Sequence, residues 1–449
     1  MAMKTKIVIV GAGSAVFAKG LIESLLLFDD IKIDNISLVD IDLKKLKVME
    51  QVARKMCKQV NKEIEIVATD KRREVLSDAT YVINSIGVGG PQVYKRDLEI
   101  ADKYGVIENV GDIIGPTGIF RMLRAYPEML GMCKDMEELC PGAYFFNYTN
   151  PMAPLCLALT RETTIKVFGY CHSVQGTAAQ LANYLDVELQ RVSYWAAGIN
   201  HMAWFLQYKV DRQDAYPLLF ELAKSEDKIN AASIRDGLYA TYLLGNDFSD
   251  LVRFEVMKHF GYFPSESPFH MSEYVPYFRK NSTTIKRWRV NRRWWLEHEL
   301  SADTYFEMLE KMVASDEPIP MQKSNEYAPD VIHANLTGQP FRANLNVPNT
   351  GLIENLPKDS CVEVPCYADA DGIHPCYVGK LPDAVAALNM SNINMHKLMA
   401  DAANEKKLEY IYQAVQVDPL TAAICDLTQI RAMVSELIEN NQKYLVDYK

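Results

Sequence analysis

Short apolar runs alternate with longer amphipathic segments along the first 170 residues. The apolar runs have strand length and are rich in β-branched and aromatic residues; they lie at Lys6–Val10, Asn35–Val39, Glu63–Thr69, Ala79–Ser85, Ala143–Asn147 and Ile165–Tyr170. Helical periodicity separates them, beginning with Val16 to Phe28. Strands separated by helices pair in parallel, so the pattern predicts a doubly wound α/β sheet.

From about Val192 the pattern changes. The longest helical stretches and two strand-like runs are Tyr216–Ala223, Asp250–Phe260, Tyr305–Val313, Asn344–Val347 and Val362–Ala368. Beyond Leu381 the chain has helical periodicity to its end. We therefore expect two closely packed domains, residues 1–195 and residues 196–449, the second of mixed α+β type. Amphipathic helices such as Asp401 to Val415 are candidates for an oligomer interface.

The composition is that of a globular protein and excludes two classes of partner. The chain has 449 residues, 49% of them hydrophobic, with 48 Lys and Arg against 58 Asp and Glu. The formal net charge of −10 argues against a nucleic-acid or anionic-membrane partner, because both require clustered basic residues.

The N-terminus and the cysteines both predict a cytoplasmic protein. The chain runs directly into a strand-length apolar segment, Ile7–Val10, and no stretch approaches the about eighteen unbroken apolar residues of a membrane span. Nine scattered cysteines, an odd number, are typical of reduced thiols. Cys361 and Cys366 have no matching second pair, so we expect no structural zinc site.

A glycine-containing turn, Gly11-Ala12-Gly13-Ser14, follows the first strand and opens the first helix. Glycines at this point allow a pyrophosphate to approach the helix N-terminus, as in a Rossmann-type domain. Asp40 ends the second strand, where a carboxylate binds ribose hydroxyls and favours NAD over NADP. Lys44 and Lys45 keep NADP open, and Val16 replaces the third glycine of the fingerprint.

Further candidate site residues lie at or after the ends of the later strands. Asn84 and Ile86 end the fourth strand, where they would line the nicotinamide side of the crevice. Cys171 follows the sixth strand, and His201 lies thirty residues beyond it. A thiolate with an imidazole suits a divalent metal of borderline softness, although buried cysteine and histidine are more often plain core residues.

Several motifs occur in one order along the chain. They are Gly11-Ala12-Gly13-Ser14, Asn150-Pro151-Met152, Cys171-His172-Ser173-Val174, Gly198-Ile199-Asn200-His201 and Asn349-Thr350-Gly351-Leu352-Ile353-Glu354-Asn355-Leu356-Pro357. Together they resemble glycoside hydrolase family 4 over essentially the whole chain, most closely its α-galactosidase members. The resemblance implies a fold like that of lactate and malate dehydrogenases.

The resemblance also implies NAD⁺ and a divalent metal, usually Mn²⁺, as cofactors. In this family NAD⁺ takes hydride from C3 of the sugar, and the resulting ketone acidifies the proton on C2. A base removes that proton while the metal stabilises the enediolate. The glycosidic oxygen leaves with help from a general acid, water adds, and the hydride returns, so there is no net redox change.

Residue roles carry over from the family by position. Cys171 and His201 match the metal ligands, and Asp112 matches the general acid. Asn150 matches a residue that contacts the sugar hydroxyls near the metal. The family base is a tyrosine of the second domain, for which we favour Tyr274.

A tyrosine titrates near ~10, so the role of Tyr274 as a base requires a cation beside the phenolate. The bound metal or a basic side chain such as Arg279 would supply it.

The loop that contains Asp112 departs from the family pattern. Family members commonly read Asp-Thr-x-Gly-Pro-Gly-Gly, whereas this chain has Asp112-Ile113-Ile114-Gly115-Pro116-Thr117-Gly118. The loss of a hydroxyl and a glycine puts the geometry of the loop in doubt, but the acid itself is present.

Substrate choice in the family follows the residues after the metal cysteine. His172 and Ser173 match the α-galactosidase members, whereas α-glucosidase members read Cys-His-Glu-Val and phospho-sugar members carry Asn or Asp after the cysteine. Uronic acids stay open as substrates, because Arg121 and Arg124 are candidates to pair with a carboxylate.

These observations predict a cytoplasmic α-galactosidase that depends on NAD⁺ and Mn²⁺ and forms a homodimer or homotetramer. The alternatives are an α-glucosidase or a uronidase with the same mechanism. A net NAD-dependent dehydrogenase and a non-catalytic NAD-sensing protein are further alternatives. A dehydrogenase would have no role for Cys171 and His201. A sensor would have no role for the acid Asp112 or the sugar-binding Asn150.

Overall fold

Six parallel strands form the first half of the sheet. The computed structural model describes residues 4–14, 17–235, 249–291, 293, 296–297, 300 and 302–449. The first six strands are β1 (Lys6–Val10), β2 (Asn35–Val39), β3 (Glu65–Thr69), β4 (Tyr81–Asn84), β5 (Tyr144–Asn147) and β6 (Lys166–Tyr170). The helices between and after them are α1 (Phe17–Leu26), α2 (Leu43–Gln59), α3 (Arg73–Leu76), α4 (Gly90–Lys103), α5 (Gly115–Leu139), α6 (Met152–Glu162) and α7 (Ser173–Tyr184).

The order of these strands is β3-β2-β1-β4-β5-β6, all parallel. Because β1 and β4 lie beside each other and their chain connections leave in opposite directions, a crevice opens at the carboxyl ends of these strands. Ile7 to Val10 of β1 are buried, as expected for a strand covered by helices on both faces. The predicted doubly wound α/β fold is confirmed.

The second half adds six strands and eleven helices within the described ranges. The strands are β7 (Val192–Ile199), β8 (Met202–Val210), β9 (Gln213–Asp214), β10 (Phe341–Pro348), β11 (Cys361–Asp369) and β12 (Gly372–Pro375). The helices are α8 (Tyr216–Leu222), α9 (Glu226–Arg235), α10 (Leu251–Phe260), α11 (Pro268–Tyr274), α12 (Ser282–Arg287), α13 (Ala302–Ala314), α14 (Tyr327–Thr337), α15 (Asp383–Glu405), α16 (Leu408–Gln416), α17 (Pro419–Ala422) and α18 (Leu427–Asn440). Short 3₁₀ turns lie at Leu189–Arg191 and Gln442–Tyr444.

The strands of the second half continue the same sheet. β10 pairs antiparallel with β6 through Leu345 and Tyr170, and the order continues β10-β11-β7-β8-β9, with β12 on β11. The predicted boundary after residue 195 therefore falls inside β7, and the two-domain division stays a prediction.

The largest departure from the sequence pattern is the β7–β8 hairpin. The sequence pattern predicted no strand between Val192 and Tyr216, but β7 and β8 in this interval are two long antiparallel strands. The turn between them holds Asn200 and His201, and His201 has a φ of 60°. The aromatic residues of β8 include Trp204 and Phe205, which are fully buried.

The predicted continuous helix from Asp401 to Val415 is wrong. Lys406 adopts a left-handed conformation with a φ of 54°, which ends α15 and separates it from α16. Ile411 and Val415 are buried inside the chain, where α16 packs against α5 and α18. No helix in the described ranges is long and apolar enough to cross a membrane.

Candidate active site

The glycine turn after β1 has the backbone geometry that the sequence predicted. Gly11 has a φ of 86°, and a Cβ atom there would lie 2.8 Å from the carbonyl carbon of Ser85. The N–H of Gly13 donates to Asp40 Oδ2 at 2.6 Å, and Asp40 Oδ1 accepts from the N–H of Asp42 at 2.9 Å. The turn and the Asp40 carboxylate thus form one unit at the mouth of the crevice.

The other predicted cofactor residues lie at the same edge of the sheet. Ser14 closes the turn by donating its N–H to Gly11 O at 3.1 Å, whereas Val16 lies outside the described residues. Asn84 Nδ2 donates at 3.0 Å to both Asn147 Oδ1 and Thr149 Oγ1. Thr149 Oγ1 in turn donates to Ile86 O at 2.9 Å.

Through these hydrogen bonds the Asn84 amide links β4 to β5 and to the residues that follow it. Ile86 is half-buried beside the glycine turn, so its exposed side-chain atoms are the ones that a cofactor in the crevice would contact.

The two predicted metal ligands come together from distant parts of the chain. Cys171 follows β6, His201 lies in the β7–β8 turn, and both side chains are buried. Cys171 Sγ lies 3.2 Å from His201 Nε2. Ligand bonds of about 2.3 Å to sulfur and about 2.1 Å to nitrogen place two donors at such a separation around one cation.

The protonation of this pair also fits a cation. Burial lowers the pKa of His201 to about 3, so the imidazole is neutral and its nitrogen lone pair is available. Burial raises the pKa of the Cys171 thiol, and the nearby Glu363 raises it further. A divalent cation would reverse that effect and hold the thiolate form.

Two further residues, which the sequence did not single out, complete this cluster. Donor atoms of His201, Glu266 and His270 all lie within 4.8 Å of one another. His270 Nδ1 is paired with Glu266, and His270 Nε2 lies 3.4 Å from Asp112 Oδ1. His270 therefore links the predicted general acid to the metal-ligand region.

The charges in this cluster are set by mutual pairing. Burial disfavours a charged His270, but Glu266 and Asp112 raise its pKa to about 10. Burial also disfavours the charged forms of Glu266 and Asp112. His270 outweighs this effect: it keeps the pKa of Glu266 well below its usual range and lowers that of Asp112. The proton of the group thus resides on His270.

The predicted sugar-binding amide lies beside the predicted acid. Asn150 Nδ2 donates to Asp112 Oδ2 at 3.1 Å. The other amide atom, Asn150 Oδ1, is buried and has no hydrogen-bond partner in the described part of the chain. A buried acceptor without a partner costs free energy, so this geometry suits a ligand hydroxyl.

Tyr274 lies one helical turn after His270, on the same face of α11. Its hydroxyl is buried, with no hydrogen-bond partner among the residues described. Burial raises the pKa of Tyr274 well above its ordinary value, and Asp112 and Cys171 raise it further. The cation predicted at Arg279 is instead directed at backbone carbonyls, those of Ile107 at 2.8 Å and Val290 at 2.6 Å.

Glu273 connects the segment of Tyr274 to the loop of Asp112. Its buried carboxylate accepts hydrogen bonds from the backbone N–H groups of Asn109, Val110 at 2.8 Å and Gly111 at 3.2 Å. Glu273 was not predicted from the sequence, because a carboxylate that binds backbone amides leaves no spacing signature.

The divergent part of the Asp112 loop is packed as a structural support. Ile113 is buried, and a Cβ at Gly118 would lie 2.6 Å from its carbonyl carbon. Thr117 Oγ1 donates to the buried Glu108 at 2.5 Å. The two replacing residues, Ile113 and Thr117, are thus buried and packed within the protein.

The residues after Cys171 face two carboxylates. His172 Nδ1 lies 3.2 Å from Glu326 Oε1, and its side chain is 44% exposed. Ser173 begins α7 with its hydroxyl buried near Glu363, a strand residue of β11 that is itself fully buried. Burial raises the pKa of Glu363 to about 8.

The two arginines proposed for a uronic acid have other surroundings. Arg124 is buried and donates to Asp97 Oδ2 and Asn441 Oδ1, each at 2.6 Å. Arg121 lies over the ring of Tyr94 and lowers the pKa of Asp112. Arg124 is therefore a structural residue.

Family models match almost the whole chain. The model for family 4 glycosyl hydrolases matches residues 6–187, and the model for the C-terminal domain of the same family matches residues 196–421. The chain belongs to family 4 of the glycosyl hydrolases. The predicted resemblance is confirmed, and Cys171 and His201 fall in different matched regions of this family 4 enzyme.

Curated relatives of this family 4 hydrolase include two α-galactosidases. That of Bacillus subtilis (strain 168) is 38% identical and that of Rhizobium meliloti (strain 1021) 31% identical. Each alignment covers 99% of this chain, with 100% and 89% of the relatives. An α-galacturonidase of Thermoanaerobacter italicus is 26% identical over 98% of this chain and 97% of its own.

Solved structures show the same fold. A 6-phospho-α-glucosidase from gut microorganisms, crystallised with NAD and Mn²⁺, matches with a TM-score of 0.84 at 20% identity, over 99% of this chain and 100% of that one. The lactate dehydrogenase of Eimeria maxima matches with a TM-score of 0.51 at 13% identity, over 89% and 96%. The predicted dehydrogenase-like fold is confirmed.

Proposed function

We propose that this family 4 enzyme hydrolyses α-galactosides with NAD⁺ and Mn²⁺ as cofactors. The observation that carries the proposal is the 3.2 Å approach of Cys171 Sγ to His201 Nε2 beside Asp112 and Tyr274. The two relatives named α-galactosidases support the galactoside as substrate. The related structure that contains NAD and Mn²⁺ supports the choice of cofactors.

Each cofactor has residues that suit it. The turn of Gly11, Gly13 and Ser14 and the carboxylate of Asp40 would hold the dinucleotide, and Cys171 with His201 would hold the metal. When bound, the dinucleotide supplies a hydride acceptor and the metal supplies positive charge for sugar oxygens.

The chain's own residues would bind the sugar and move its protons. Asn150 Oδ1 and the exposed part of His172 would accept or donate to sugar hydroxyls. Tyr274 would take the C2 proton as a phenolate, and because Arg279 is directed at backbone carbonyls, the positive charge that favours this phenolate would come from the bound metal. Asp112 would deliver a proton to the glycosidic oxygen, and because His270 holds the proton of that pair, the two would act as one group.

The enclosed site would also exclude water while these protons move. The side chains of Asp112, His201, His270 and Tyr274 are all buried. Their electrostatic interactions are therefore stronger than in bulk water.

Two other substrates and one other reaction class compete with this proposal. An α-glucosidase differs at one sugar hydroxyl, and an α-galacturonidase, the activity named for the Thermoanaerobacter italicus relative, takes a carboxylate. A net dehydrogenase would release one NADH for each sugar oxidised. Ser173 and the buried Arg124 favour the neutral galactoside.

The test is hydrolysis of p-nitrophenyl α-galactoside, α-glucoside and α-galacturonide under reducing conditions after chelator dialysis. NAD⁺ and Mn²⁺ are each added or omitted, and NADH is followed at the same time. We expect galactoside cleavage that needs both additions and gives no stoichiometric NADH. Cleavage without NAD⁺, or NADH formed in proportion to sugar, would reject the proposed mechanism.

We further propose a cytoplasmic location and a homodimer or homotetramer. All nine cysteines are free thiols, and a Cys171 thiolate needs a reducing compartment to stay unoxidised. Light scattering on a size-exclusion column would give the mass of the assembly directly.

A further inference from the structure

Glu326, a carboxylate outside the family motifs, lies beside His172, one of the proposed sugar-binding residues. Glu326 lies at the start of α14, and its Oε1 is 3.2 Å from His172 Nδ1. The Glu326 side chain is only 15% exposed. Its second oxygen, Oε2, is buried and accepts no hydrogen bond from the residues that the structure describes.

The segment before Glu326 is fixed on both sides of the crevice. Ser324 is bound to Ser24 of α1, with its N–H donating to Ser24 Oγ at 2.8 Å. Gln175 of α7 donates through Nε2 to Asn325 O at 3.1 Å. Glu326 is therefore held between the helix that follows the glycine turn and the helix that follows Cys171.

The charge of Glu326 adds to a site already rich in carboxylates. Asp112 and Glu266 both lie against His270 in the same buried cluster. A glycoside with a carboxylate or phosphate on C6 would bring a further negative charge into this enclosed space. Like charges repel strongly where water is excluded, whereas a sugar hydroxyl donates favourably to a carboxylate oxygen without a partner.

We propose that Glu326 is a specificity-determining residue that selects uncharged hexosides and rejects anionic ones. This inference rests on the proposed function of the site as a glycosidase. The free lone pairs of Glu326 Oε2 accept a hydroxyl of a neutral sugar, and the same charge excludes uronides and phosphorylated sugars. Specificity here arises from a repulsive element as well as an attractive one.

The test compares Glu326→Gln with the wild-type enzyme. The variant keeps the shape of the side chain and removes its charge. We expect the ratio of kcat/KM for p-nitrophenyl α-galactoside over α-galacturonide to fall at least about tenfold, as relief of one like-charge contact predicts. Glu317→Gln, an exposed position in the same connecting segment, is the matched control and should leave the ratio unchanged.

A second variant protects the test against misfolding. Glu326 occupies the N-cap of α14 without making a side-chain cap bond, so Glu326→Ser removes the charge and adds a favoured capping residue. It should lower the same ratio. Calorimetric binding of free galactose and galacturonate to the holoenzyme gives a readout that does not need turnover, and both variants should bind galacturonate at least about tenfold more tightly.

The outcomes separate the inference from the proposed function. An unchanged ratio and unchanged galacturonate affinity in both variants, with galactoside cleavage intact, would overturn the role of Glu326 alone. A wild-type enzyme that cleaves and binds the galacturonide better than the galactoside would overturn both. If neither glycoside is cleaved, the proposed function fails, and the two binding measurements still decide the role of Glu326.

Discussion

The carboxylate of Glu273 accepts a hydrogen bond from the backbone N–H of Val110 at 2.8 Å, and this contact joins the two sides of the catalytic centre. Glu273 precedes Tyr274, the proposed base, while Val110 lies two residues before Asp112, the proposed acid. The same carboxylate also binds the N–H groups of Asn109 and Gly111. The carboxylate of Glu273 therefore holds the Asp112 loop against α11, which carries Tyr274, in addition to the contact between His270 and Asp112.

Replacing Glu273 with Gln should loosen this connection. The amide directs N–H donors at backbone N–H groups, so at least one buried donor loses its acceptor, at a cost of about 1–3 kcal/mol in the free energy of unfolding. A displacement of about 1 Å between acid and base lowers kcat by up to about a hundredfold. Urea denaturation and galactoside kinetics measure the two effects.

Glu63→Gln is the control for Glu273, because Glu63 is an exposed residue before β3. It should change neither stability nor kcat. If Glu273→Gln lost stability but kept full kcat, Glu273 would support the fold without positioning the catalytic groups.

Local sequence patterns predicted the strands and the glycine turn of the first half well. Gly11 and Gly13 follow β1 and Asp40 follows β2, and a strand, glycine turn and helix in succession are a local pattern even though the Gly13–Asp40 bond spans 27 residues. Cys171 and His201 stood out as a thiolate and an imidazole, but the family motifs gave them their role as metal ligands, because thirty residues, α7 and β7 separate them in sequence. The β7–β8 hairpin was missed because apolar and polar residues do not alternate regularly along it, which is the usual sequence signal of a half-buried strand.

The residues that the sequence analysis missed share a physical feature. Glu266, His270, Glu326 and Glu363 come from three separate parts of the chain and meet only through tertiary packing. A buried carboxylate is recognisable by its partners, and those partners are not near it in sequence. Arg124 shows the reverse error, since its pairing with Asp97 and Asn441 is invisible from spacing.

Replacing Cys171 with Ser should weaken metal binding by removing one of the two proposed ligands. A neutral hydroxyl binds a divalent cation more weakly than an anionic thiolate does, so we expect the Kd for Mn²⁺ to rise at least about tenfold. Titration followed by the electron paramagnetic resonance of free Mn²⁺ measures this without substrate. Cys376→Ser, at a partly exposed cysteine, is the control, and equal Mn²⁺ affinity in the two variants would reject the metal assignment.

Asp418 should make the stability depend on pH. Burial raises the pKa of its fully buried carboxyl to about 6, and Glu273 adds to the effect. A raised pKa means that the folded state binds the proton more tightly than the unfolded state. The contribution is fully present below about pH 4 and is lost as pH rises through about 6; a shift of about two units corresponds to roughly 3 kcal/mol.

The variant Asp418→Asn should remove this dependence while keeping the cap on α17, since Asn is also a favoured N-cap residue. Urea denaturation between pH 4 and 7 should show a flatter curve for the variant, with the larger difference from wild type at pH 7. Asp426→Asn, at the exposed cap of α18, provides the comparison. Parallel curves for wild type and Asp418→Asn would show that Asp418 does not carry the effect.

Gly13 provides the sharpest test of the dinucleotide site. A Cβ atom at Gly13 would lie 2.5 Å from Asp40 Oδ2, so Gly13→Ala forces the carboxylate away from the N–H groups of Gly13 and Asp42. If Asp40 binds the ribose, the Kd for NAD⁺ should rise at least about tenfold by calorimetry. Gly142→Ala, where a Cβ has open space, should leave it unchanged.

A double-mutant cycle tells whether Gly13 acts through Asp40. Asp40→Ser removes the carboxylate with which an alanine at position 13 would collide, so adding Gly13→Ala to it should cost little further NAD⁺ affinity. Strict additivity of the two losses would mean that the glycine contacts the dinucleotide independently, through close backbone approach. Unchanged affinity in both single variants would place the dinucleotide elsewhere and remove the basis for the redox mechanism.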